Sequence, residues 1–80
     1  MYKRQVIRYS IIKPAQVSLK IYDVLGSEIK TLVNKEQVNG VYEVTWNGDD
    51  QFGNKVSTGV YFYKINTGLY SETRKMMLIK

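Results

Sequence analysis

The sequence predicts an all-β domain, an antiparallel β-sandwich of about seven short strands, with a small barrel as the runner-up. Three observations carry this. β-Branched and aromatic residues fall in short runs of alternating polarity, the runs are bounded by Gly, Asn, Asp or Pro, and no segment sustains an apolar stripe at helical spacing. A sheet that is apolar on one face must cover that face, so such strands settle as two packed sheets.

The first run, Val6 to Ile11, places Ile7, Tyr9 and Ile11 on one face and Arg8 and Ser10 on the other. Pro14 ends it, because proline cannot donate to a ladder. Val17, Leu19 and Ile21 form the apolar face of the second strand, and Asp23-Val24-Leu25-Gly26-Ser27 reads as the turn after it. A third strand, Glu28 to Val33, is irregular: Ile29 and Leu32 are three apart, so a bulge or twist is needed for both to face inward. Asn34 to Gln37 and the dipeptide Asn39-Gly40 supply the next connection, Asn-Gly being a common tight-turn pair.

Val41 to Trp46 is the fourth strand, with Tyr42, Val44 and Trp46 inward. The longest loop, Asn47 to Thr58, is expected to cross from one sheet to the other, with Val56 its aliphatic residue and Phe52 its aromatic one. Gly59 to Ile65 is the strongest strand signal, and Asn66-Thr67-Gly68 turns it back on Tyr70 to Ile79, where Met76 and Leu78 face inward.

A chain of 80 residues holds one domain, too small to bury the surface that makes a domain strongly stable, which fits a module of something larger. Residues 1–5, Met-Tyr-Lys-Arg-Gln, lack the apolar core and small-residue cleavage site of a signal peptide. They resemble translated transposon-end adapter sequence and are set aside as an artefact, leaving residues 6–80 as the domain, a fragment of a larger protein. Without Lys3 and Arg4 the formal net charge falls from +5 to +3, and the remaining cations are scattered along the chain, so a nucleic-acid partner is not expected.

No run approaches the roughly 20 apolar residues of a membrane-spanning helix. The absence of cysteine removes disulfides and thiolate metal sites and leaves the compartment open. Histidine is also absent, which takes away the commonest residue of zinc, haem and general-base chemistry. We therefore expect no catalytic residues, no cofactor and no metal. Asp49 and Asp50 beside Asn and Gly suggest calcium, but a loop counted from Asp49 has Gln51, Gly53 and Val60 at its third, fifth and twelfth positions. A turn whose Asp and Asn side chains accept backbone N–H groups is the expected reading. The tyrosines fall mostly at inward positions, with Tyr22 and Tyr70 the ones to test for exposure.

Trp46-Asn47-Gly48-Asp49-Asp50-Gln51-Phe52-Gly53-Asn54-Lys55-Val56-Ser57-Thr58-Gly59-Val60-Tyr61-Phe62-Tyr63, with Arg74-Lys75-Met76-Met77-Leu78-Ile79-Lys80 at the end, resembles the type A C-terminal sorting domain of type IX secretion cargo. Ile7-Arg8-Tyr9-Ser10 and Val17 to Gly26 agree with it. The resemblance implies an Ig-like sandwich that acts as a non-catalytic secretion signal for an upstream passenger domain. It implies export through the periplasm to the cell surface or medium of a Bacteroidetes-like bacterium, with outer-membrane secretion machinery and a surface sortase-like peptidase as partners. Carried over by residue, recognition falls to Gly59, Val60, Tyr61, Lys75 and Met76, and the loop before them is shaped by Trp46, Gly48, Asp50 and Gly53. The Asn-Pro-rich segment that precedes the first strand in that family, with its cleavage region, is missing here.

Two other readings compete. An Ig-like structural or assembly spacer, similar to that of flagellar hook-capping protein, shares the tryptophan-to-Gly-Val-Tyr pattern. A carbohydrate-binding accessory module would stack sugars on Tyr22, Tyr70 or a displaced Trp46.

Overall fold

The computed structural model describes residues 5–79. They form β1 (Gln5–Ile11), β2 (Ala15–Tyr22), β3 (Glu28–Gln37), β4 (Gly40–Trp46), β5 (Gly59–Asn66) and β6 (Ser71–Leu78), with no helix among them. β1 and β4 make a two-stranded sheet that packs on a four-stranded sheet of order β3-β2-β5-β6, every pairing antiparallel. This is the expected sandwich, with six strands among the described residues. Of residues 1–5, the first four lie outside the described residues, while Gln5 opens β1 opposite Trp46.

The inward faces are those that alternation assigned. Val17, Leu19 and Ile21 are fully buried in β2, between β3 and β5, and each such side chain is worth about 1.5–3 kcal/mol of burial. Ile7, Tyr9 and Ile11 face them from β1, Trp46 from β4, and Tyr61, Ile65, Met76 and Leu78 complete the core from β5 and β6. The tyrosine rings do span core and rim: Tyr9 stacks on Tyr42 at 5.5 Å, and its hydroxyl donates to Gln37 Oε1 at 2.8 Å, tying β1 to the end of β3.

β3 departs most from its expected form. Asn34 to Gln37, read as a connection, continue the strand, because Gln37, Glu36, Lys35 and Asn34 pair with Ala15, Gln16, Val17 and Ser18. Backbone pairing at a sheet edge needs no apolar side chain, so a polar run serves there. The anticipated irregularity is present twice. Register shifts leave Leu32 and Ile29 without partners in β2, and both lean onto the core as the three-residue spacing required. Val38 and Asn39 then carry the chain to the other sheet, since β3 and β4 do not pair, so Asn39-Gly40 closes no hairpin.

The loop from Asn47 to Thr58 crosses between sheets as anticipated. It holds one isolated bridge, Asp49 with Lys55, in place of a further strand, because its glycines and aspartates favour turns.

Burial raises the pKa of Tyr9 above its usual value despite the hydrogen bond to Gln37, and burial does the same for Tyr63 against the pull of Arg74. A tyrosine whose folded pKa is raised contributes stability that is complete below its unfolded value of 10.0 and is lost as pH rises through the folded value. Urea-unfolding midpoints should therefore stay flat with respect to these two groups up to about pH 9.5 and fall above pH 10. Tyr9→Phe and Tyr63→Phe should each flatten that alkaline decline, and a decline unchanged by both would exclude this origin.

Candidate functional site

Two turns at one end of the sandwich have the same construction. In Asp23-Val24-Leu25-Gly26-Ser27, Asp23 Oδ1 accepts from the backbone N–H groups of Leu25 and Ser27, each at 2.9 Å. In Asp50-Gln51-Phe52-Gly53-Asn54, Asp50 Oδ1 accepts from Phe52 at 3.0 Å and Asn54 at 2.9 Å. Each turn closes with the aspartate N–H donating to the carbonyl four residues on, and with the glycine N–H donating to the aspartate carbonyl. Gly26 and Gly53 both stand at φ +85, a conformation other residues rarely adopt. The expectation of an aspartate-capped turn holds at Asp50. Asp49 instead pairs with Lys30 at 2.9 Å, both side chains largely buried.

The bulges in β3 give the long loop its anchor. Gln51 donates its backbone N–H to the Ile29 carbonyl and accepts from Thr31 N–H through Oε1, both at 3.0 Å. With Lys30–Asp49 beside them, these bonds hold the loop to the β3 edge. Val56 N–H donates to the Gly48 carbonyl at 3.0 Å, and Trp46 Nε1 donates to the Asp49 carbonyl at 2.8 Å, so the loop is also tied across itself.

A second repeat lies at two strand starts. Asn39-Gly40-Val41-Tyr42 opens β4 and Thr58-Gly59-Val60-Tyr61 opens β5. In each, the tyrosine hydroxyl donates at 2.6 Å to the carbonyl four residues upstream, Val38 for Tyr42 and Ser57 for Tyr61. This is the tyrosine-corner arrangement of Ig-like sandwiches, in which one hydrogen bond fixes a strand to the crossing that feeds it. Tyr61 also meets the buried Trp46 edge to face at 5.2 Å.

The two turns flank an open cleft of about 680 Å³. Ile29, Val56, Val60 and Tyr61 line its floor, and Val24, Leu25 and Phe52 stand around its rim. Leu25 and Phe52 are each 87% exposed, and with Val24 they bring three exposed apolar side chains to one cleft.

The residues assigned to recognition thus divide. Asp50, Gly59, Val60 and Tyr61 line the cleft, while Trp46 packs beneath Tyr61 and Gly48 and Gly53 shape the loop. Met76 lies opposite Tyr61 in the register and is buried. Lys75, opposite Phe62, is exposed on the outer face of the four-stranded sheet, outside the cleft lining. Trp46, Gly48, Asp50, Gly53, Tyr61 and Met76 each have a folding role. Leu25 and Phe52, which sequence reasoning passed over, have none visible; the repeated Asp-x-apolar-Gly pattern was the signal that could have found them.

Among the described residues no group of three or more His, Cys, Asp or Glu is placed to hold a metal ion, and no helix is long and apolar enough to cross a membrane. Trp46 is fully buried with its N–H engaged, so it offers no sugar platform in this structure, whereas Tyr70 is 45% exposed and Tyr22 half-buried.

Comparison with known proteins follows the fold. No curated protein matches the chain. Among solved structures, PorZ of Porphyromonas gingivalis, described as an essential bacterial surface component of the type IX secretion system, aligns with a TM-score of 0.59 at 23% identity. The alignment covers 94% of this chain and 11% of that one, a likeness of fold to a small part of a much larger protein. The model of the FlgD Ig-like domain matches residues 5–69, from the first residue of β1 through β5 and the turn after it. Six antiparallel strands in two sheets, a tyrosine corner and that match together show that the chain belongs to the FlgD Ig-like domain family.

Proposed function

We propose that this domain is a non-catalytic C-terminal sorting signal, which directs an upstream passenger across the outer membrane through type IX secretion machinery. The observation that carries the reading is the Trp46 to Tyr63 stretch. The residues that resemble the sorting domain fold into one locked loop beside a cleft with exposed apolar tips. The fold likeness to part of a surface component of that secretion system supports the same direction. On this reading the protein is exported, and the surface peptidase and final location follow from the resemblance to secretion cargo.

The test is to fuse residues 5–80 behind a signal peptide and a fluorescent passenger, in a host that has the secretion system. The passenger is expected at the cell surface or in the medium. Retention in the periplasm with the domain folded would refute the role.

A structural or assembly spacer is the second reading, favoured by the FlgD Ig-like family match itself. It predicts that the fusion stays in the periplasm and that the full-length gene continues with further domains.

A further inference from the structure

We propose that the cleft between the two aspartate turns seats an extended partner segment in which a large apolar residue lies beside a lysine or arginine. The proposal rests on the reading of the domain as an interaction module and names the chemistry of what it engages.

Leu25 and Phe52 stand exposed on turns closed by paired backbone hydrogen bonds and by two N–H groups held on each aspartate. The backbone that carries them is held before any partner arrives, so seating an apolar side chain between them costs the ordering of side-chain rotamers and not of the turns. Charge decides what accompanies it. Among the described residues the cleft is lined by Asp23, Glu28 and Asp50 and by no lysine or arginine, in a chain whose formal net charge is still +3 without residues 1–5. Glu28 is already opposed by Lys20 at 3.4 Å, whereas among the described residues Asp23 and Asp50, one on each turn, form no ion pair. Each uses Oδ1 for the backbone and keeps its negative charge beside an apolar tip. A basic chain repels basic segments over most of its surface; this end attracts them. An acidic apolar segment would meet two carboxylates and gain only the apolar contact.

The probes are fluorescein-labelled peptides of alternating leucine and lysine, of leucine and glutamate, and of serine and lysine, titrated with the full chain by anisotropy. The leucine–lysine peptide is expected to bind at least about tenfold more tightly than either control. Leu25→Ser with Phe52→Ser, at exposed tips that leave the core untouched, should remove that binding by about tenfold or more. Asp23→Asn with Asp50→Asn keeps the Oδ1 acceptors that close the turns and removes the charges, so it should abolish the preference for lysine over glutamate while thermal unfolding changes little.

Equal binding of the glutamate peptide, or binding unchanged in the Leu25→Ser/Phe52→Ser variant, would overturn the proposal. So would a concentration-dependent dimer in sedimentation that the same variant dissolves, since the occupant would then be a second copy of this chain. The two proposals fail separately: a periplasmic fusion whose domain still binds the leucine–lysine peptide removes the secretion role and leaves the cleft chemistry, whereas an exported fusion that binds no peptide does the reverse.

Discussion

Replacing Trp46 with alanine is expected to bring the domain close to its unfolding threshold at room temperature. Trp46 heads the group of largest fully buried side chains, packs edge-on against Tyr61, and fastens the long loop through its indole N–H. Truncation removes the transfer energy of the indole, leaves a cavity and orphans the Asp49 carbonyl, for about 3–5 kcal/mol. Folded domains are stable by only about 5–15 kcal/mol, and one this small lies toward the lower end. As Trp46 is the single tryptophan, the measurement is urea unfolding followed by circular dichroism in place of fluorescence. A midpoint within about 1 kcal/mol of the parent's stability would mean that the loop and core do not depend on this side chain.

Tyr61→Ala is expected to cost nearly as much, about 3–4 kcal/mol by analogy with other buried aromatic truncations, because the ring is 6% exposed and shares the Trp46 contact. Tyr61→Phe separates the two parts of its role. It keeps the ring and leaves the Ser57 carbonyl without its donor, for about 1–2 kcal/mol. Tyr42→Phe makes the same change at the half-buried corner of β4 and should cost under about 1 kcal/mol, since water can replace the lost donor there. A cycle of Trp46 and Tyr61 substitutions should show coupling of about 0.5–1.5 kcal/mol, and additive losses would contradict the contact. An export defect in Tyr61→Ala thus reports folding before it reports recognition.

Alternation made most of the fold legible. In β1, β2 and β4 the inward residues could be read one by one, since period-two apolar positions in a half-buried strand have one consistent face. The spacing of Ile29 and Leu32 even required the irregularity of β3, although it could not locate the two bulges or show that they expose Ile29 C=O and Thr31 N–H to Gln51. Asn34 to Gln37 carry no strand signal because edge pairing is made by backbone, which leaves no mark in side-chain polarity. The partner of each strand was not readable either: Asn39-Gly40 suits a hairpin locally, and the sandwich uses it to change sheets.

The site was legible in a different way. The Trp46 to Tyr63 motif points to the end of the molecule that holds the cleft, but six residues singled out there and at Met76 are explained by hydrogen bonds, turn geometry and packing. Leu25 and Phe52 looked like ordinary loop residues. They sit on two turns 27 residues apart in the sequence but built alike, which the crossing of the long loop brings to one cleft.

The most direct test of the central claim is to measure export of the fused passenger and thermal stability side by side, for the parent and for Leu25→Ser/Phe52→Ser. The account predicts an unchanged melting temperature with the passenger held in the periplasm. Normal export of that variant, with loss of export confined to substitutions that unfold the domain, would contradict it.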